Sequence, residues 1–253
     1  MHTSDLSTEA LRWRAIWEVG RRIAALDGVS ALQAKGLKNF NDDMIHVSIP
    51  HGSRPYKVVG VRTHSVRSRK DEILSVGVPR VRPHIAAVRA AHWSISGRQA
   101  ALILCMVVQQ GIVTPARLVK AAESVSARRH RRLVQQVVND LSDGDQSLGE
   151  LDFARLCRAR NLPEPSRQVL RHGPRGRIYL DVRWEGLGLV VEIDGAQHRA
   201  GLAIMEDNLR QNSVTLGGDV VLRVDLVGLR VDPDAFMDQV CQAHVQLTLA
   251  RGA

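Results

Sequence analysis

Two short apolar segments near the C-terminal end of the sequence each carry acidic side chains. In residues 178–184 the side chains alternate so that Asp181 lies on the polar face of a strand. In residues 189–194 the same alternation puts Glu192 and Asp194 together on one face. Each segment therefore predicts a half-buried β-strand whose polar face holds carboxylates.

A Gly-rich stretch, residues 185–188, connects the two segments. If it forms a four-residue hairpin loop, Trp184 pairs with Leu189, and Asp181 lies opposite Glu192 with the two Cβ atoms about 5 Å apart. Like charges across a strand pair repel each other, and a divalent cation with oxygen ligands is one way to make such a pair favourable.

The two facing acids predict a divalent-metal site formed by Asp181 and Glu192. Phosphodiester hydrolysis is extremely slow without help, and an ion such as Mg²⁺ between two carboxylates can polarise a phosphate. The alternative is a pair of solvated acids on a sheet face, each paired with an arginine such as Arg183.

The segments around this hairpin predict the element order α-β-β-β-α-β-α. Ser147 and Glu150 form a capping box, which indicates the start of a helix. The predicted elements are a helix at 147–159, strands at 167–171, 178–184 and 189–194, a helix at 205–216, a strand at 220–224 and a helix at 233–249.

This order, with acids on its first helix, second strand and third strand, resembles the PD-(D/E)XK nuclease fold. Its motifs are Leu-Asp-Val-Arg-Trp, Val-Glu-Ile-Asp-Gly-Ala-Gln-His, Asp-Asn-Leu-Arg-Gln and Val-Leu-Arg-Val. They are similar to those of the domain of unknown function 559, which is related to very-short-patch repair endonucleases. The resemblance implies an α/β (α+β) restriction-endonuclease-like domain with a mixed sheet, which nicks or cleaves DNA with Mg²⁺ or Mn²⁺.

The resemblance also extends more loosely upstream, where the sequence is similar to the region that precedes this domain in proteins related to AbiEi-type antitoxins. Such relatives usually carry a winged helix before this region. We expect this DNA-reading winged helix to be missing here, or a partner protein to bind. The expected domains are a smaller basic α+β or helical DNA- or partner-binding region, residues 1–146, and the nuclease-like domain, residues 147–253.

The resemblance implies catalytic roles for five residues, namely Asp181, Glu192, Asp194, His198 and Glu150. His198 follows a strand end and is either a general base or metal contact, or a solvated loop histidine. Glu150 either binds the metal ion, directly or by hydrogen-bonding one of its ligands, or is only the second half of its capping box.

Asp194 departs from the family pattern, which has a lysine two residues after Glu192. No lysine follows Lys120, so no other lysine of the C-terminal domain can replace it. Asp194 is either a third metal ligand or a residue that shapes the turn before Gly195.

Seven residues are candidates for nucleic-acid contacts: Arg210, Gln211, Arg223, Arg128, Arg129, Arg131 and Arg132. Guanidinium groups suit phosphate oxygens. The alternatives are an ion pair between Arg210 and Asp207, a place for Arg223 on the polar face of its strand, and a solvated helix face for the arginine run.

The net charge of +9 indicates a polyanionic partner, with DNA first. The charge is uneven, because residues 1–146 carry 22 Lys and Arg against 12 Asp and Glu, whereas residues 147–253 carry 13 against 14. The alternative is that the arginine-rich composition reflects a GC-rich genome and not a polyanionic partner.

Other features narrow the function classes. The longest apolar run, residues 100–108, is too short to span a bilayer. Because the first residues are polar and helical in pattern, we expect no signal peptide. The three cysteines are far apart in apolar contexts, which predicts free thiols in a cytoplasmic protein.

The acid pair and the family resemblance together predict a metal-dependent DNA endonuclease. The alternative is a non-catalytic DNA-binding regulator or antitoxin-like protein with a degenerate nuclease fold.

The upstream sequence predicts helices at 9–26, 83–91, 97–110 and 127–141, and strands at 45–49 and 58–64.

Overall fold

The computed structural model describes residues 7–67, 71–142, 153–172, 178–194 and 220–252. The chain divides into two compact units, residues 1–134 and 135–253, and contains two mixed sheets. The mixed α+β class expected from the sequence is thus confirmed. The first unit is not the smaller one, because it contains a five-stranded sheet and several helices of its own.

The first unit is built on a sheet whose strand order is β3-β2-β1-β5-β4. Strands β1 and β2 are antiparallel, as are β4 and β5, whereas β2 and β3 are parallel, as are β1 and β5. Its elements are α1 (Thr8–Gly20), β1 (Ala25–Leu26), α2 (Gly28–Lys35), β2 (Ile45–Pro50), β3 (Val61–Val66), β4 (Ile73–Leu74), β5 (Arg80–Val81), α3 (Pro83–Trp93), α4 (Gly97–Gln109) and α5 (Pro115–Ser124), and α6 (Arg131–Ser142) follows across the division.

Two upstream helices differ from the sequence-based expectation. The first helix ends at Gly20 rather than at residue 26, because Gly20 takes a φ of +139°, which helical residues do not adopt. The residues after it form β1, which pairs with both β2 and β5. The basic helix begins at Arg131 rather than at residue 127, and His130 before it lies in the left-handed region at φ +57°.

A buried ion pair joins α2 and α3 in the first unit. Asp27 is fully buried at the N-cap of α2, where it accepts hydrogen bonds from Gly28 N at 2.7 Å and from Arg89 Nη1 at 2.9 Å. Arg89 Nη2 donates a hydrogen bond to Glu72 Oε2 at 2.7 Å. Burial raises the pKa of Asp27, and the positive charge of Arg89 opposes this rise.

The second unit contains a sheet of order β6-β7-β8-β9, in which the first two pairs are antiparallel and the last pair is parallel. The four strands lie where the sequence predicts them, which confirms a mixed sheet. The elements after α6 are α7 (Phe153–Ala159), β6 (Arg167–His172), β7 (Ile178–Trp184), β8 (Leu189–Asp194), β9 (Val220–Asp225), α8 (Leu226–Val231) and α9 (Pro233–Gly252).

The short helix α8 was not predicted from the sequence. The expected helix at 205–216 and the first residues of the expected helix at 147–159 lie outside the described residues.

One face of this sheet forms the core of the second unit. Its buried side chains come from all three of β7, β8 and β9, and from α7, α8 and α9: Phe153, Cys157, Leu180, Val182, Trp184, Leu189, Val191, Ile193, Val220, Leu222, Val224, Leu226, Leu229, Phe236, Met237, Val240 and Ala243. Burying each large apolar side chain contributes about 1.5–3 kcal/mol. The indole of Trp184 also donates a hydrogen bond to Pro163 O at 3.1 Å, so its polar nitrogen keeps a partner in this core.

Within the described residues, no helix combines the length and the apolar character that a membrane crossing requires.

Candidate active site

The hairpin of β7 and β8 brings the two predicted metal ligands together. Trp184 pairs with Leu189, and Asp181 lies directly opposite Glu192, so the register predicted from the sequence is confirmed. Residues that lie opposite each other in an antiparallel pair have side chains on the same face of the sheet. The two carboxylates therefore share one face.

The connecting loop explains why this register forms. Its four residues, 185–188, reverse the direction of the chain. Within this loop Leu187 N donates a hydrogen bond to Trp184 O at 2.9 Å. Gly188 closes the loop with a φ of +67°, a conformation that costs little only for glycine. Because the loop length fixes which residues pair, it also fixes which acids meet.

The face opposite the two acids is the apolar one. On β7, Leu180, Val182 and Trp184 belong to the buried core, and on β8 so do Leu189, Val191 and Ile193. A one-residue shift in either strand would bury the acids and expose the core residues, so apolar packing supports the same register as the loop.

Asp181 is the more enclosed of the two acids. Only 8% of its side chain is exposed, and the guanidinium of Arg183, two residues along the same strand, lies 3.6 Å from Oδ2. Asp181 thus has a positively charged neighbour on its own strand.

Glu192 is more accessible, with 36% of its side chain exposed. Its register partner on β9 is Arg223, whose Nε lies 3.4 Å from Glu192 Oε2. Arg223 therefore lies beside the acid pair, on the polar face of its strand, and its role in nucleic-acid binding remains a prediction. Its side chain is 62% exposed, so it can exchange this contact for another anion at small cost.

Asp194 lies at the end of β8, in register with Tyr179 on β7 and with Asp225 on β9. Strand alternation puts it on the same face as Glu192. The position at which the family pattern has a lysine thus carries a second acid of β8, and the cations that the structure shows near the acid pair are the arginines of β7 and β9.

Four of the predicted site residues, Glu150, His198, Arg210 and Gln211, lie outside the described residues. The assignments of Asp181, Glu192 and Asp194 as catalytic residues remain predictions. In the part of the chain that the structure describes, no group of three or more His, Cys, Asp or Glu side chains lies close enough together to hold a metal ion.

The predicted arginine run lies in the first unit, before and at the start of α6. Arg128, Arg129, Arg131 and Arg132 are all exposed. Arg129 is also tied to the fold, because its Nη2 donates to Ile95 O at 2.6 Å and its carbonyl oxygen lies 2.6 Å from His92 Nδ1.

A second group of polar residues in the first unit was not predicted as a site. His46 on β2 and His64 on β3 contact each other, and Asp42 lies 3.3 Å from His46 Nε2. Each histidine lies in a predicted strand, but their contact depends on a parallel strand pair that no turn signal specifies.

Comparison with known proteins finds no match to this chain among family models, curated proteins or solved structures.

Proposed function

We propose that this chain is a metal-dependent DNA endonuclease that nicks or cleaves phosphodiester bonds, with a restriction-endonuclease-like second unit. The observation that carries the proposal is the direct pairing of Asp181 with Glu192 on the sheet face away from the core. Two acids directly opposite each other are unfavourable unless a cation compensates their charges, and a working metal site supplies a reason to keep them.

The donor set fits Mg²⁺ or Mn²⁺, because carboxylate oxygens are the ligands that these ions prefer. When bound, the ion would supply Lewis-acid polarisation of the scissile phosphate. Asp181, which is almost fully buried, gives the site a fixed ligand. Glu192, which is one third exposed, lies where the site meets solvent and a substrate phosphate can approach.

Arg223 gives the proposed site a cation for the substrate. Its contact with Glu192 Oε2 is long and exposed, so little free energy is lost when the guanidinium turns to a phosphate oxygen instead. By the family resemblance, Glu150 and His198 assist catalysis, and Arg210 and Gln211 contact the phosphate backbone.

DNA is the substrate that the charge distribution favours. Residues 1–146 hold the basic excess, and the four arginines at 128–132 are exposed there. Phosphate contacts from exposed arginines supply affinity without sequence preference.

A second candidate function is that of a non-catalytic DNA-binding regulator with the same fold. Two observations favour it: Asp194 stands where the family pattern has lysine, and each of the paired acids has an arginine within 4 Å. An acid already neutralised by arginine does not require a metal ion.

The test compares nicking of supercoiled plasmid by the parent protein and by Glu192→Gln, in Mg²⁺ and in Mn²⁺. We expect the variant to lose nicking and to keep its affinity in a gel shift, because the phosphate contacts lie elsewhere. The matched control is Glu185→Gln, which removes one negative charge from an exposed position of the loop of the same hairpin.

Each outcome is decisive. Loss of nicking in Glu192→Gln with full activity in Glu185→Gln supports the endonuclease. Equal nicking by the parent and Glu192→Gln means that the activity is a contaminant. Binding without nicking by the parent in either metal favours the regulator.

A further inference from the structure

A cavity of about 410 Å³ is lined by residues of the first unit. Its lining includes Asp42, Asp43, His46, Arg62 and Trp93. The proposed endonuclease activity uses none of these residues, and apolar packing does not require an aspartate and a histidine side by side in a cavity wall.

His46 is held firmly from one side. Its backbone N donates to Ser30 Oγ at 2.8 Å, and its ring Nδ1 lies 3.0 Å from His64 Nε2. The His64 ring stacks on Trp93 with the ring centroids 3.6 Å apart and the planes within 5°. This stack fixes the imidazole of His46 and leaves Nε2 as its remaining polar atom.

Asp42 is held in the same way. Its Oδ1 accepts a hydrogen bond from Met44 N at 3.0 Å, which leaves Oδ2 to contact His46. That oxygen lies 3.3 Å from His46 Nε2. Nε2 is buried from solvent and has no hydrogen-bond partner with acceptable geometry among the described residues, so the Asp42 oxygen lies off the axis of a good N–H···O bond.

This distance suits two ligands of one metal ion. In a tetrahedral site with metal–ligand bonds of about 2.0–2.1 Å, neighbouring ligand atoms lie about 3.3 Å apart. Ligands that are oriented through their second polar atom are typical of metal sites, above all a histidine whose other ring nitrogen is hydrogen-bonded. Both features occur here.

We propose that Asp42 and His46 bind a divalent transition-metal ion of the Zn²⁺ class in this cavity. Among the described residues no third His, Cys, Asp or Glu completes the set, so water or a small ligand fills the other positions.

The test measures Zn²⁺ binding to the chelator-stripped full chain by titration calorimetry and by metal content after dialysis. Asp181→Asn with Glu192→Gln is the background, because it removes the acid pair of the second unit. We expect this protein to bind Zn²⁺, and the further change Asp42→Asn or His46→Gln to weaken binding at least about tenfold.

Two more variants separate this site from a general effect of histidine. His64→Gln should weaken binding about 10–100-fold, because it removes the partner that orients His46. His51→Gln is the matched control, because His51 is an exposed histidine next to the end of β2. The affinity of this variant for Zn²⁺ should equal that of the background protein.

An ion pair between Asp42 and His46 without metal is the competing explanation. Absence of Zn²⁺ binding in the background protein, or equal binding after Asp42→Asn, overturns the proposal. If His46→Gln does not fold because His46 is buried, Zn²⁺ binding by Asp42→Asn decides the test. The side chain of Asp42 is 21% exposed, so this variant should fold. Co²⁺ substitution adds a second measurement, in which a sulfur-to-metal charge-transfer band would assign the ion to a cysteine instead.

Discussion

At the scale of single residues, the acid pair and its two arginines form a compact set of opposite charges. Arg183 is 3.6 Å from Asp181, and Arg223 is 3.4 Å from Glu192. The exposed pair of Arg223 with Glu192 contributes about 0–1 kcal/mol, so a stronger partner can replace it. A bound metal ion and the guanidinium groups therefore compete for the same oxygens.

This competition gives a prediction for metal-dependent stability. Mg²⁺ at about 100 times its dissociation constant should stabilise the parent by about 2.7 kcal/mol, because it binds only the folded site. Asp181→Asn should remove the gain, and Arg223→Gln should lower the Mg²⁺ concentration needed for it. Thermal unfolding over a Mg²⁺ series measures both effects.

The control for this series is again Glu185→Gln, which should respond to Mg²⁺ as the parent does. An unchanged midpoint for the parent at saturating Mg²⁺, or the same shift in Asp181→Asn, contradicts a metal role for the pair.

At the scale of elements, the hairpin of β7 and β8 could be predicted from the sequence because its determinants are local. Side-chain alternation decides the face of Asp181 and Glu192, and a four-residue loop decides their register. The apolar residues on the other face specify the same pairing, so two independent signals agree.

The pairings of the first unit could not be predicted in this way. Its sheet places β1 between β2 and β5, and joins β2 to β3 in parallel, without a tight turn between them. The end of α1 was missed, because a lone glycine such as Gly20 does not always end a helix. The contact of His46 with His64 follows from the parallel pairing and was therefore missed as well.

The loop of the hairpin gives a prediction at this scale. Gly188→Ala should destabilise the second unit by about 1–2 kcal/mol, because alanine must adopt the left-handed φ of +67°. Gly186→Ala is the matched control in the same loop, where an added Cβ meets no atom within 4 Å. Chemical denaturation of both variants measures the difference.

Equal stability of the two variants would mean that the loop does not need the conformation of Gly188 to form the pair. Nicking assays on the same variants should show a larger loss for Gly188→Ala, because the loop sets the register of Asp181 and Glu192.

At the scale of the whole molecule, charge and candidate chemistry are divided between the two parts of the sequence. The basic excess lies in residues 1–146, whereas residues 147–253 are close to neutral and hold the acid pair. This division fits the proposed function, in which the basic region supplies affinity for a polyanion and the acid pair acts on it.

The arginines at the start of α6 are not explained by local stability. Arg131 and Arg132 lie in the first turn of that helix, which has no acidic residue. Positive charges at a helix N-terminus are opposed by the helix dipole, so this arrangement costs a few tenths of a kcal/mol or more. A partner that carries phosphates gives the arrangement a function.

The last prediction tests this function through the salt dependence of DNA binding. Replacing Arg128 and Arg132 with Gln should reduce the slope of log K against log salt by about 1.8, because two phosphate contacts are lost. The matched control is Arg117→Gln with Lys120→Gln, which removes the same charge from exposed positions of α5. Fluorescence anisotropy with a DNA duplex over a salt series measures both slopes. If the two double variants change the slope equally, the arginine run contributes only net charge and no direct phosphate contact.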